Sequence, residues 1–512
     1  MSIQLAIRSG RALANLTAKV APLVGPAGNE ITGLQVHYVG DVVVGSHTPD
    51  SPANELVGVA PGLYPDPLLD FPLDLKARWT TPIWVSIHIP ADAQVGIYRD
   101  KIEVMAGGNE IAHEGFRLNV MPASVPEART LKLTNWFSLD DKTSRQFYGV
   151  AMFSPQWWTL VENVGRVLAD YRQNVIFTPL MDLIQPHVEG GKLTYDYTNF
   201  DRWVETFKGV GAIGYIEGSH LTTRAAGSYN GALLVPTFQI VSPANKQNCP
   251  VSATLAVPVP STNGEVVRIS LPAGDPRVEP FLTNFLSALY AHLKEKGWAD
   301  IYLQHISDEA HGPEIPHYAK LGEIVHRTMP GVPTIDAVDA SNMPEELAKN
   351  CDIWVPQLGR FDNYMKMIED RLHSGRAVWY YTCLYPQGRY PNRLMDFPLI
   401  KTRLLPWIDF RFGFTGFLHW GGNSWTPEPM LDTQPVIDDN STLLPPGDAF
   451  ILYPDRAHLT VLTSIRLEAL RAGIEDYEML HQLEARNPDA ARQIAGSAIS
   501  SFTDYVRDAV QF

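Results

Sequence analysis

From residue 131 onward the chain repeats one unit eight times: a short apolar run, a polar loop, and a stretch with helical periodicity. The apolar runs are 131–137, 174–180, 211–217, 301–307, 333–339, 353–358, 377–384 and 413–420. The helical stretches are 157–172, 197–209, 278–296, 315–328, 343–349, 361–374, 397–411 and, after a loop, 462–484. Apolar runs of this length suit strands buried on both faces, and strands alternating with helices imply a parallel sheet. Eight such pairs in roughly 350 residues predict a (β/α)8 TIM barrel. The excess length falls at about 223–275, rich in Val, Pro, Thr and Ser, and predicts a β-rich insertion after the third strand.

Upstream the period changes to two. The segment 84–89 (WVSIHI) alternates cleanly, and 34–39, 41–44, 96–98, 101–104 and 116–120 are further short strands set off by Gly and Pro. Short alternating strands with such turns predict an antiparallel β-sandwich. The proline-rich run 62–68 (GLYPDPL) reads as a loop that no central strand could contain. The expected organisation is a multidomain β plus α/β chain: a β-sandwich over 1–125, a catalytic barrel over 126–485, and a tail over 486–512 forming a helix or two.

With 512 residues, 45% of them hydrophobic, the chain can bury several cores. A formal charge of -15 argues against nucleic acid, which requires a basic surface. Cys249, Cys351 and Cys383 have neither a disulfide framework nor metal-ligand spacing, so no cofactor or metal is expected. No apolar run approaches the length of a membrane span. MSIQLAIRSGRALANL lacks a sustained apolar core with a small-residue cleavage site, so no signal peptide is expected. That leaves cytoplasmic residence, or export with a leader already trimmed. Homo-oligomerisation is left open.

Barrel chemistry sits at the C-terminal ends of the strands. In this register those ends carry Asn135, Trp136, Asp182, Glu217, His220, Asp308, Glu309, Asp336, Asp339, Gln357, Tyr381, Tyr385, His419, Trp420, Asn423 and Trp425. Carboxylates, amides and aromatic rings together suit a polyhydroxylated ligand, a glycan or oligosaccharide. Asn135, Glu217, His220, Gln357, Tyr381, Tyr385, Trp420 and Trp425 are the candidate substrate contacts. The adjacent acids Asp308 and Glu309, in IYLQHISDEAHG (301–312), are the catalytic candidates. An ordinary alternative is that Asp308 caps the next helix and Glu309 pairs with a base.

Glycosidases place two carboxyls about 5 Å apart when retaining and about 6.5 to 9.5 Å apart when inverting. By analogy with many retaining barrels the second acid would come from the seventh strand, yet 377–395 contains no Asp or Glu, nor does 416–425. Two neighbouring acids with no opposite partner imply that the substrate brings its own nucleophile. A 2-acetamido group does so through its carbonyl oxygen. Asp308 would then hold the acetamido N–H and Glu309 would protonate the leaving oxygen.

The segments ISDE (306–309), IEGSH (216–220), IWVPQL (353–358), GFLHWGGNSW (416–425) and above all SIRLEALRAGIEDYEML (464–480) resemble glycoside hydrolase family 123. The resemblance extends to 83–104 in the sandwich. It implies a β-N-acetylgalactosaminidase-like enzyme in which Asp308 orients the acetamido group and Glu309 is acid/base. It also implies that 464–480 is structural. Where the family commonly continues with Pro after the acid pair, this chain has Ala310 and His311.

Three other readings compete. A metal hydrolase would use His305, Asp308, His311 and His220, whose spacing repeats no standard zinc motif. A carbohydrate-binding protein without catalysis would have no need of the acid pair. A glycosidase for a sugar without an acetamido group needs a second carboxylate, with Glu217, Asp182 and Asp339 as candidates.

Overall fold

The computed structural model describes residues 1–241, 265–339, 344–363, 365–437 and 442–508. Cys249 and much of the insertion lie outside the described residues. Residues 2–120 form two antiparallel sheets. One has the order Ser2–Arg8, Thr80–His88, Gly33–Val44, Gly62–Leu69. The other is built around Gly96–Ala106, flanked by Leu13–Val20 and Asn109–Val120. Thr80–His88 buries every second residue, including Ile83, Val85 and Ile87. These meet Tyr98, Ile102 and Val104 of the other sheet in shared apolar clusters.

The proline-rich run is a strand, not a loop: Gly62–Leu69 pairs antiparallel with Gly33–Val44. It lies at the sheet edge, where Pro65 and Pro67 leave no inner ladder without a donor. Its outer side meets the rest of the chain, with the Leu68 N–H donating to the Thr463 carbonyl at 2.9 Å.

Beyond Leu131 the architecture is α/β. Its parallel strands are Lys132–Asn135, Val175–Thr178, Tyr215–Gly218, Tyr302–Gln304, Ile335–Val338, Ile353–Pro356, Tyr380–Tyr381 and Gly416–His419. The first and last pair in register, Lys132 opposite Gly416 and Asn135 opposite His419. The second, third and fourth form one ladder, and the fifth and sixth another. Single parallel bridges, Gln304 to Thr334 and Gln357 to Tyr381, link the ladders. Between the first and second strands the connection is one backbone bond, Asn174 N–H to the Leu133 carbonyl at 3.3 Å. The insertion contributes three antiparallel strands, Thr223–Arg224, Leu233–Val241 and Glu265–Pro272.

One helical expectation needs correction. The stretch 397–411 is two helices, Leu399–Arg403 and Leu405–Phe412, because Pro406 has no N–H to continue one ladder. Among the described residues the tail holds one helix, Pro488–Ala498, followed by a short hairpin of Ile499–Ser501 with Asp504–Tyr505.

The long helix Ile465–Glu484 joins the β region to the α/β region. Arg466, 1% exposed, is held by Asp66 through two bonds, Nε to Oδ1 at 2.9 Å and Nη2 to Oδ2 at 2.8 Å. Its remaining N–H groups reach the carbonyls of Arg393, Gly447 and Phe450. The Tyr453 hydroxyl donates to Asp66 as well, at 2.6 Å. Glu478 on the same helix accepts from the N–H groups of Thr130 and Leu131 where the first parallel strand begins. Asp66→Ala leaves a buried guanidinium without its counter-charge. The expected cost is about 3 kcal/mol or more, read as a lowered thermal midpoint, whereas Asp70→Ala on the exposed side should change little.

Candidate active site

The fourth parallel strand ends at Gln304, and the chain then runs through Ser307, Asp308 and Glu309 before the turn Gly312–Glu314 starts the next helix. Asp308 does not cap that helix. The turn before it is capped by His311 and Glu314, each side chain bonded to the other's backbone. Glu309 pairs with no base among the described residues: its Oε1 accepts from the Tyr381 hydroxyl at the end of the seventh strand. Glu309 also has φ of 45°, a left-handed conformation that costs a non-glycine residue energy and clusters at functional sites.

Asp308 is open to solvent and Glu309 half-buried, but both stand in a recess where surrounding protein desolvates the carboxyls. Desolvation, then the negative charge of Asp336, raises Asp308 to about 6. Desolvation, then the charge of Asp308, raises Glu309 to about 8, while the Tyr381 bond and Arg224 pull the other way. The two carboxyls repel and share a proton near neutral pH, and the larger rise at Glu309 favours that side.

Beneath this turn lies a buried ion triad. His305, fully enclosed, binds Glu217 through Nε2 at 2.8 Å and Asp336 through Nδ1 at 3.0 Å. Burial alone would lower its pKa, but the two carboxylates hold it up to about 10, so it is an imidazolium. Glu217 also accepts from Thr134 Oγ1 at 2.7 Å and Trp136 Nε1 at 2.8 Å. Asp336 accepts from the Ile306 N–H and, at 2.8 Å, from the Tyr318 hydroxyl. Glu217 is thus sealed inside the sheet, its oxygens occupied and out of a ligand's reach.

His220 packs its ring 4.4 Å from that of His305, and burial keeps it neutral. Its Nε2 has no hydrogen-bond partner and lies 3.8 Å from Asp336 Oδ1. His220, His305 and Asp336 approach one another closely enough to suit a metal. Both His305 nitrogens are already bonded to carboxylates, however, so an ion would have to displace the bond to Asp336.

The other expected residues divide between the recess and the frame. Gln357 donates to Asp339 at 3.1 Å, and Asp339 is near enough to Glu309 to raise it. Tyr385 is 41% exposed and bonds Asp50 of the β region at 3.0 Å. Trp420 donates to Asp448 at 3.3 Å. Trp425 donates to the Leu452 carbonyl and packs edge-on to Phe147, a core position. Asn135 is buried and bonded by Gln173 and Arg393. His419 is also buried, against Arg393 and Asp448. Asn423 is spent on the backbone of Ser138. Asp182 is paired to Arg268 at 2.7 Å. Trp157, Trp158 and Trp203 are core.

Two arginines escaped the sequence reading. Arg224 of the insertion reaches the backbone of Asp308 and Glu309. Arg393 anchors Asn135 and His419 from the seventh-strand loop. Neither carries a local motif, since each meets its partners only through long-range folding.

Asp308, Glu309 and Tyr381 thus meet where the fourth and seventh parallel strands end. The chain belongs to glycoside hydrolase family 123: the model of the family's catalytic domain matches residues 136–483, and that of its N-terminal domain matches residues 1–106. A family 123 glycoside hydrolase from Clostridium perfringens, studied for glycolipid glycan hydrolysis, superposes with a TM-score of 0.72 at 18% identity. The overlap covers 97% of this chain and 84% of that one. A family 39 glycoside hydrolase from Bacteroides cellulosilyticus WH2 overlaps 90% of this chain and 80% of its own at 12% identity. Its TM-score of 0.39 is too low to argue from. No curated protein sequence matches the chain.

The geometry fixes the sign of two titrations. Tyr381→Phe removes a bond that favours the ionised Glu309, so that carboxyl should titrate at higher pH. Asp308→Asn removes a repelling charge, so the same carboxyl should titrate lower. Carbon-13 NMR of the labelled carboxyls reads both directions.

Proposed function

We propose that this enzyme cleaves a β-linked 2-acetamido-2-deoxy sugar, N-acetylgalactosamine by preference, with retention and with the substrate's acetamido oxygen as nucleophile. The observation that carries this reading is the composition of the site: one adjacent acid pair raised in pKa, and a seventh-strand loop with no carboxylate between Ala377 and Met395. Glu309, protonated near neutrality, gives its proton to the glycosidic oxygen as that bond breaks. Asp308, ionised, accepts the acetamido N–H and stabilises the positive charge that develops on the oxazolinium. Glu309 then takes a proton from the water that opens the ring, so two inversions leave the configuration retained. Tyr381 orients Glu309, and Gln357, Tyr385 and Trp420 are the remaining candidate contacts. Asn135, Glu217, His220 and Trp425 act in this reading by supporting the recess from behind.

The eight parallel strands are read here as a closed barrel, with the Asn174 to Leu133 bond standing at the seam. In domain terms the β-sandwich is 1–125, the catalytic unit 126–485 and the tail 486–512. A second reading, cleavage of a sugar without an acetamido group, is favoured by one observation: Asp339 lies beside Glu309. Its other candidates fare worse, since Glu217 is sealed and Asp182 is paired to Arg268.

The test is a panel of p-nitrophenyl β-glycosides with and without a 2-acetamido group, extended to glycolipid-type glycans. Hydrolysis of the acetamido sugars alone, with inhibition by a thiazoline analogue, is the expected result. A 2-fluoro sugar that traps an adduct on Asp339 would overturn it. kcat/KM should follow a bell, falling below about 6 as Asp308 gains a proton and above about 8 as Glu309 loses one. Glu309→Gln should cost about 10²- to 10⁴-fold on poor leaving groups and less on activated aryl glycosides.

A further inference from the structure

We infer that Arg224, supplied by the insertion after the third strand, is a positioning residue for the acid pair: it clamps the Asp308–Glu309 turn through its backbone. This inference rests on the assignment of that pair as the site of reaction. Arg224 stands at the end of the short strand Thr223–Arg224, which pairs with Leu233 and Leu234. Its Nη2 donates to the Asp308 carbonyl at 2.8 Å and to the Glu309 carbonyl at 3.3 Å. Its Nη1 donates to Glu314 Oε1 at 2.8 Å and to the Tyr229 carbonyl at 2.7 Å. Two successive carbonyls can face one guanidinium only if the chain turns sharply between them. Glu309 does so, in the left-handed conformation that its side chain disfavours.

The clamp has a second anchor. Glu314, held by Arg224, also accepts from the His311 N–H at 3.2 Å, and His311 Nδ1 lies 2.9 Å from the Glu309 carbonyl. Tyr229, next to Arg224 on the insertion, stacks on the His311 ring at 4.5 Å and 11°. Residues 308–314 are therefore gripped from one side by the insertion and from the other by Tyr381. The guanidinium contributes charge as well as geometry. Asp336 and Asp339 push the two carboxyls toward their protonated forms, His305 opposes this at Asp308, and Arg224 opposes it at both.

Charge and geometry separate in two variants. Arg224→Gln should move the titrations of both carboxyls to higher pH, seen by carbon-13 NMR without any substrate, and carry both limbs of the activity profile with them. Arg224→Lys keeps the charge but cannot span two carbonyls and Glu314. It should leave the titrations in place and lower kcat by up to about 10²-fold with KM little changed, because the acid is misplaced rather than the sugar unbound. Native titrations in Arg224→Gln would overturn the inference. Should that variant fail to fold, native kcat in Arg224→Lys would overturn it instead. The NMR titration needs no substrate, so an error in the sugar assignment, visible in the glycoside panel on the unaltered enzyme, cannot be mistaken for an error about Arg224.

Discussion

The bond pattern of His305 underlies the rest of the α/β region. One imidazolium, closed off from water, joins Glu217 of the third strand to Asp336 of the fifth. Glu217 extends the link to Thr134 and Trp136 at the end of the first, and Asp336 extends it to Tyr318 on a helix outside the sheet. Charges buried this deeply are stable only when every lone pair finds a donor, so each residue of the cluster is bound to its position by the others. Of the cluster's members, Asp336 helps burial to raise the Asp308 carboxyl and His305 opposes that rise.

Most of the architecture could be read in advance because it depends on short-range pattern. Apolar runs such as 353–358 and helices such as Val278–Glu295 announce themselves by period and length. Gly62–Leu69 was misread because two prolines argue against a strand in general but not against an edge strand, and edge position is a property of the whole sheet. The split at Pro406 was written in the sequence, since proline interrupts a helix wherever its first turn is already complete.

The site divides along the same line. Asp308 and Glu309 stood out because a polar pair closed an apolar strand and Gly312-Pro313 followed. Glu217 occupied an equally suggestive place at the end of its strand, yet its side chain turns inward to His305. Sequence gives the register of a strand but not what waits on its inner face. Arg224 was invisible for a related reason: the acid pair it meets lies more than eighty residues away.

The β region does more than sit beside the catalytic unit. Its loop around residues 46–51 lies against the chain that follows the seventh strand. Thr48 bonds Asp396 through both N–H and hydroxyl, Asp50 meets Tyr385 and Gln387, and Ser51 accepts from the Gly388 N–H. That neighbouring chain leads back to Tyr381, the residue that holds Glu309. The segment that leads back to Tyr381 is therefore braced by the amino-terminal module. Neither side of this seam can drift in evolution, or be exchanged by fusion, without the other adjusting to match.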